Sequence, residues 1–135
     1  QFENAQAFFD ACETGKGWEV CRAWCADDAT FACQADSLAK TKTLADYCEW
    51  MKGLLTPVPD GRYVLTSFAM DEARGTAVAT AEFHGTQTGP DGPVAPTGKA
   101  VVSDYGYVMQ LDGDKIVHMT KIWNDVQALR GLGWA

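Results

Sequence analysis

Thr80-Ala-Glu-Phe-His-Gly-Thr-Gln-Thr-Gly89 leads into a turn-rich loop that closes on Pro96-Thr-Gly-Lys99. An apolar run then spans Val101 to Leu111, Asp112-Gly113-Asp114 punctuates it, and a last run reaches from Lys115 to Trp123. The spacing predicts strand, loop, strand, hairpin, strand, which is an antiparallel meander. Alternation supports it. Ala77, Ala79, Ala81 and Phe83 hold the odd positions, and Thr80, Glu82 and His84 hold even ones. One face is therefore small and apolar and the other polar, and a pocket should lie against this sheet.

Toward the N-terminus, Ala5, Phe8, Phe9 and Cys12 recur at helical spacing until Thr14-Gly15-Lys16-Gly17 stops them. Trp18, Cys21, Ala23, Trp24 and Cys25 suggest a second short helix, broken by Asp27-Asp28, and 29–33 reads as a short strand. Thr43 caps a third helix whose stripe is Leu44, Tyr47, Cys48, Met51, Leu54 and Leu55, ended by Pro57 and Pro59. Residues 63–70 form a strand, Ala73-Arg74-Gly75 a tight joint, and 126–132 a closing helix with Gly133 as its stop. Helices first and strands after is the α+β pattern, and 135 residues fit one domain over 1–135.

Net charge is −7 and spread along the chain, without the clustered Lys and Arg that phosphate binding needs, so nucleic acid is excluded as a partner. The same charge disfavours an anionic membrane surface, and no apolar run approaches the ~20 residues of a span. A start at Gln1 leaves room for a removed leader. Cysteine usage points instead to the cytoplasm. The five Cys are odd in number and include no C-x-x-C pair, so they read as reduced core thiols. Cys21 and Cys25 share a helix face but have no nearby His, which argues against a metal site.

Phe83-His-Gly-Thr-Gln-Thr-Gly89 with Pro96-Thr-Gly-Lys99, then a strand, Asp112-Gly113, Lys115-Ile116 and Trp123-Asn-Asp125, resembles the SnoaL-like polyketide cyclases of the nuclear transport factor 2-like superfamily. The resemblance covers essentially the whole chain. It implies a cone-shaped curved antiparallel sheet covered by N-terminal helices, in a dimeric α+β barrel whose partners meet through the outer sheet face. It also implies a cyclase- or isomerase-type enzyme, without metal or cofactor, doing acid/base chemistry on an apolar carbonyl compound such as a polyketide. The family's last-strand aspartate, which serves an intramolecular aldol closure, falls on Lys121, or on Ile122 if slipped by one. The histidine of its G-T-H-T-G motif is Gln87 here, and a second family histidine falls at Tyr107. The fold also hosts non-catalytic modules, so a ligand-binding or dimerisation module that kept the cavity is the alternative.

A two-residue turn at Asp112-Gly113 would pair Leu111 with Asp114. Asp104 then faces Lys121 and Tyr107 faces His118, on opposite sides of the sheet; a bulged loop would exchange the sides. These four are the candidate catalytic residues. Lys121 against Asp104 could orient a carbonyl or act as a base, and otherwise is an ion pair at a dimer face. Tyr107 with His118 could donate to an enolate oxygen, and otherwise satisfies two polar tips. Continuing Thr88 opposite Lys99 brings His84 near Ser103 and Asp104. His118 lies five residues further, about 17 Å at ~3.4 Å per residue, so the three form no cluster. His84, Phe31, Trp50, Tyr105 and Trp123 are the candidate substrate-binding residues, lining a cavity between helices and sheet. No Gly-x-Ser-x-Gly elbow or phosphate loop is present.

Overall fold

A computed structural model describes residues 1–135. In chain order the elements are α1 (Phe2–Glu13), α2 (Trp18–Cys21) with a 3₁₀ turn at Arg22–Trp24, β1 (Cys25–Cys33) and α3 (Leu44–Leu54). They are followed by β2 (Arg62–Asp71), β3 (Thr76–Thr86), β4 (Ala100–Asp112), β5 (Lys115–Trp123) and α4 (Asp125–Leu132). The expected α+β class holds. The five strands run in the order β1-β5-β4-β3-β2, a curved and unclosed sheet. β2 to β5 form the antiparallel meander, and β1 adds a parallel pairing on β5.

Alternation along β3 and β4 decides which side is core. Ala77, Ala79 and Ala81 are buried, as are Val101, Ser103, Tyr105, Tyr107 and Met109 on the neighbouring strand. Small alanines on β3 leave room for the two tyrosine rings opposite, since Ala79 pairs with Tyr107 and Ala81 with Tyr105. α1 lies across this face. Phe8 and Phe9 are buried, and the Phe9 ring meets the ring of Tyr107 edge-on at 5.3 Å. A large apolar side chain so buried contributes about 1.5–3 kcal/mol. The start of α1 is tied to the β4–β5 hairpin: Gln1 donates to the Gly113 carbonyl at 2.6 Å and Asn4 to that of Asp114 at 3.1 Å.

α3 begins where expected, with Thr43 Oγ1 accepting from the Asp46 N–H at 3.1 Å, and Leu44, Tyr47, Cys48 and Met51 are its buried stripe. α4 is capped by Asn124, stopped by Gly133 in the left-handed region at φ 79°, and held to the N-terminal half by Asp125. The Ser37 N–H donates to that carboxylate at 2.9 Å and lowers its pKa. All five cysteines are free and buried. No helix is long and apolar enough to cross a membrane.

The hairpin register is a correction. The turn is Gly113-Asp114, with Asp112 paired to Lys115 and Gly113 at φ 59°, where a glycine opening the turn costs least. A bulge between Gln110 and Leu111 moves the ladder once more. Lys121 therefore faces Tyr107, not Asp104, and His118 faces Gln110, not Tyr107. β3 and β4 are also offset by one from expectation: His84 faces Val102, and Ser103 faces Phe83.

Candidate functional site

Four ionisable side chains from four elements meet on the inner face. Lys121 on β5 donates from Nζ to the Tyr47 hydroxyl of α3 at 3.0 Å. That hydroxyl bonds the Tyr107 hydroxyl on β4, which in turn donates to Glu13 Oε2 at the end of α1. Because an ammonium can only donate and a carboxylate only accept, the chain has a direction, Lys121 to Tyr47 to Tyr107 to Glu13. Each proton passed along it would turn an ion pair at its two ends into a neutral amine and a neutral acid.

Burial favours the neutral ends. Only 2% of Glu13 and 6% of Lys121 is exposed. Loss of water raises the Glu13 carboxyl, opposed by the Lys121 charge and by the nearby Tyr105 and Tyr107 hydroxyls, of which Tyr107 makes the hydrogen bond. It lowers the Lys121 amine, opposed by the charge on Glu13. Burial also raises Tyr47 and Tyr107, so both hydroxyls keep their protons and can relay them.

Around the amine stand four rings. Lys121 Nζ lies 4.2 Å from the Trp123 ring centre, 5.1 Å from Tyr47, 5.2 Å from Trp50 and 5.4 Å from Tyr105. Phe31 stacks on Tyr47 at 4.4 Å and fixes its plane, and Trp123 Nε1 donates to Ser103 Oγ at 3.0 Å. Between α3, α4 and the sheet remains a cavity of about 40 Å³. Glu13, Tyr105 and Lys121 reach its wall, and Trp50, Phe83, Leu129 and Trp134 are among the apolar side chains that line it. Two buried donors there lack partners, the Tyr105 hydroxyl and the Trp134 indole N–H. An unpartnered donor on a cavity wall is the structural signature of a ligand acceptor or a bound water.

The structure brings Tyr107 and Lys121 together and separates them from Asp104 and His118. Asp104 is exposed on the outer face opposite Glu82. His118 bonds Thr30 Oγ1 at 2.7 Å and Thr120 Oγ1 at 3.2 Å on that same side. His84 is bound to Glu82 at 3.0 Å, so the expected contact with Asp104 is replaced by one on its own strand. Of the residues expected to bind substrate, Trp50, Tyr105 and Trp123 line the cavity; His84 does not, and Phe31 stands behind Tyr47. Gln87 is a loop clamp: its side chain accepts from the Thr97 N–H at 2.6 Å and donates to the Gly89 carbonyl at 3.1 Å.

Glu13 and the Tyr47 hydroxyl were missed by sequence reasoning. Glu13 stands four residues after Phe9 and eight after Ala5, on the buried stripe of α1, so its signal was a carboxylate at a core position.

A SnoaL-like domain model matches residues 5–119. The chain belongs to the SnoaL-like family. No curated protein matches it. Among solved structures it is similar to a candidate SnoaL-like polyketide cyclase from Jannaschia sp. CCS1, at 14% identity and TM-score 0.75, over 98% of this chain and 92% of that one. It is also similar to AclR, a candidate hydroxylase from Streptomyces galilaeus, at 17% identity and TM-score 0.76, covering 100% and 84%. A protein of ketosteroid isomerase-like fold from Catenulispora acidiphila matches at 15% identity and TM-score 0.72, covering 98% and 94%. At these identities the likeness is one of fold, and the family supports a small-molecule cyclase- or isomerase-type scaffold.

Proposed function

We propose that this SnoaL-like protein is a cofactor-free enzyme of cyclase or isomerase type that moves protons on an apolar carbonyl compound such as a polyketide. The observation that carries the reading is the buried chain Lys121–Tyr47–Tyr107–Glu13, which opens on the cavity at the position where the family's acid/base aspartate falls. Lys121, whose burial eases loss of its proton, in its neutral form takes a proton from the carbon beside the carbonyl. The unpartnered Tyr105 hydroxyl donates to the oxygen as negative charge develops there. The ammonium so formed returns the proton to the product carbon, while Tyr47, Tyr107 and Glu13 hold it in place through their chain of hydrogen bonds. A carboxylate at the other end of a tyrosine relay thus replaces one standing on the last strand.

The cavity has room for one to three waters as it stands, far below the ~300 Å³ of a typical ligand pocket. Binding a polycyclic compound therefore requires this cavity to widen. A non-catalytic module is the second reading, favoured by the narrowness of the cavity and by Lys121 in place of the family's carboxylate. On the outer face, Val102 at 50% and Ile122 at 64% exposure, with Val64 and Val78 nearby in the sheet, fit pairing with a second copy. Five unlinked buried thiols fit a cytoplasmic setting.

Thermal shift against a library of polycyclic and steroid-like ketones tests the site, with Lys121→Met and Asp104→Asn alongside wild type. The expected result is a stabilising ketone whose effect disappears in Lys121→Met, persists in Asp104→Asn, and whose α-hydrogens exchange with deuterated water only in wild type. Binding without exchange would select the non-catalytic module, and binding lost in Asp104→Asn alone would move the site to the outer face.

A further inference from the structure

We propose that Lys121 is also a nucleophile, and that its amine forms an imine with an unhindered aldehyde or methyl ketone entering the cavity between α3, α4 and the sheet. This rests on the same site as the reading above and changes Lys121 from a proton carrier into the group that holds the substrate.

The geometry around Nζ points this way. Lys121 has one hydrogen bond, to the Tyr47 hydroxyl at 3.0 Å, and takes part in none of the molecule's three ion pairs. A lysine kept for structure alone would be expected to reach water or a carboxylate. Burial inside the aromatic box makes the amine easier to deprotonate, against the pull of the Glu13 charge. Passing its proton through Tyr47 and Tyr107 to Glu13 leaves a free amine, with a lone pair to attack a carbonyl carbon.

The product uses the box better than the reactant does. A protonated imine is cationic and diffuse, with no water shell to give up beyond what the site has already removed. Trp123, Trp50, Tyr47 and Tyr105 stand around the position it would occupy, at 4.2–5.4 Å from Nζ. The two unpartnered donors on the same cavity, Tyr105 and Trp134, can hold the substrate oxygen before attack.

The step balances without any other reagent. The amine nitrogen bonds the carbonyl carbon, and the oxygen takes up the proton the nitrogen loses, which gives a carbinolamine. The C–O bond then breaks, and one water leaves as the C=N bond forms. The departing hydroxyl needs a proton, and Tyr47 is the donor nearest the nitrogen, resupplied through Tyr107 from Glu13. Protonated imine formation makes the neighbouring C–H acidic, which is the proton transfer that a cyclase- or isomerase-type reaction requires.

The test uses the full chain with 2-butanone and propanal as probes and sodium cyanoborohydride as the trap, followed by peptide mapping at neutral pH. Surface reference amines are Lys16, Lys40, Lys42, Lys52, Lys99 and Lys115. Labelling of Lys121 at least tenfold faster than of these is expected. Tyr47→Phe, which keeps the ring and removes the relay, should slow it at least tenfold at a temperature where both proteins remain folded. Trp134→Ala removes the indole at the cavity wall, so that entry does not decide the result. Label confined to surface lysines in both wild type and Trp134→Ala overturns the imine. If ketones in that case still bind and lose binding in Lys121→Met, the acid/base reading stands alone; if none binds, both fall.

Discussion

The two faces of one sheet carry ionisable residues on the same two strands, and physics treats them differently. On the inner face Tyr107 and Lys121 are withdrawn from water and wired through Tyr47 to Glu13. On the outer face Asp104 is exposed, while His118 and His84 are half-exposed and content with a threonine pair and with Glu82. A polar side chain becomes chemically unusual when water is removed and replaced by few, directed partners. Water on the outer face screens its charges. The difference is one of parity: odd positions on β4, and on β5 beyond the bulge, point in, and even positions out.

The contrast should be largest in stability. Tyr107→Ala is expected to cost about 3–5 kcal/mol in urea unfolding, because it empties a core site and strands two polar partners. Tyr107→Phe isolates the hydroxyl; with Glu13 and Tyr47 each losing a partner, about 1–3 kcal/mol should go. An inner face as tolerant as the outer one would break the comparison.

A smaller effect is its pH dependence. Burial raises the Glu13 carboxyl, so the folded state binds a proton more readily than the unfolded one. That contribution is fully present below the unfolded value of about 4.3 and is lost as pH rises through the folded one. Glu13→Gln should therefore gain stability relative to wild type as pH climbs from 4 upward. A flat difference for Glu13→Gln would mean that the carboxyl is solvated.

Smallest of all are the outer-face changes. Asp104→Asn and His118→Gln should alter monomer stability by no more than about 0.5 kcal/mol. Ile122→Lys should likewise leave folding intact and shift sedimentation toward monomer, which sharpens the assignment of that face to association. A ligand affinity that followed His118 would reverse the roles of the two faces.

Local structure was legible in the sequence because local chemistry sets it. Thr43 announced α3, Gly133 closed α4, and the alanines of β3 declared the core side. The site was only half legible. Tyr107 and Lys121 stood out as polar groups on core strands, but their mutual pairing depended on where the hairpin turned and on one bulge. Neither feature has a sequence signature stronger than its alternatives around Asp112-Gly113-Asp114. Glu13 and Tyr47 come from helices far away in sequence, and a helical stripe tells which side is buried but not which residue of another element waits there. Tyr47 read as an apolar stripe member, and its hydroxyl found Tyr107 only through the packing of α3 on the sheet.

The central claim is that burial at one end of a proton relay eases the loss of the Lys121 proton. Nitrogen-detected NMR of the lysine Nζ groups, followed from pH 6 to about 11, tests it most directly. Lys121 should titrate below the ~10.4 of an ordinary lysine, and Glu13→Gln should lower it further by removing the opposing charge. A Lys121 signal that titrates with the surface lysines, and does not respond to Glu13→Gln, would contradict the account.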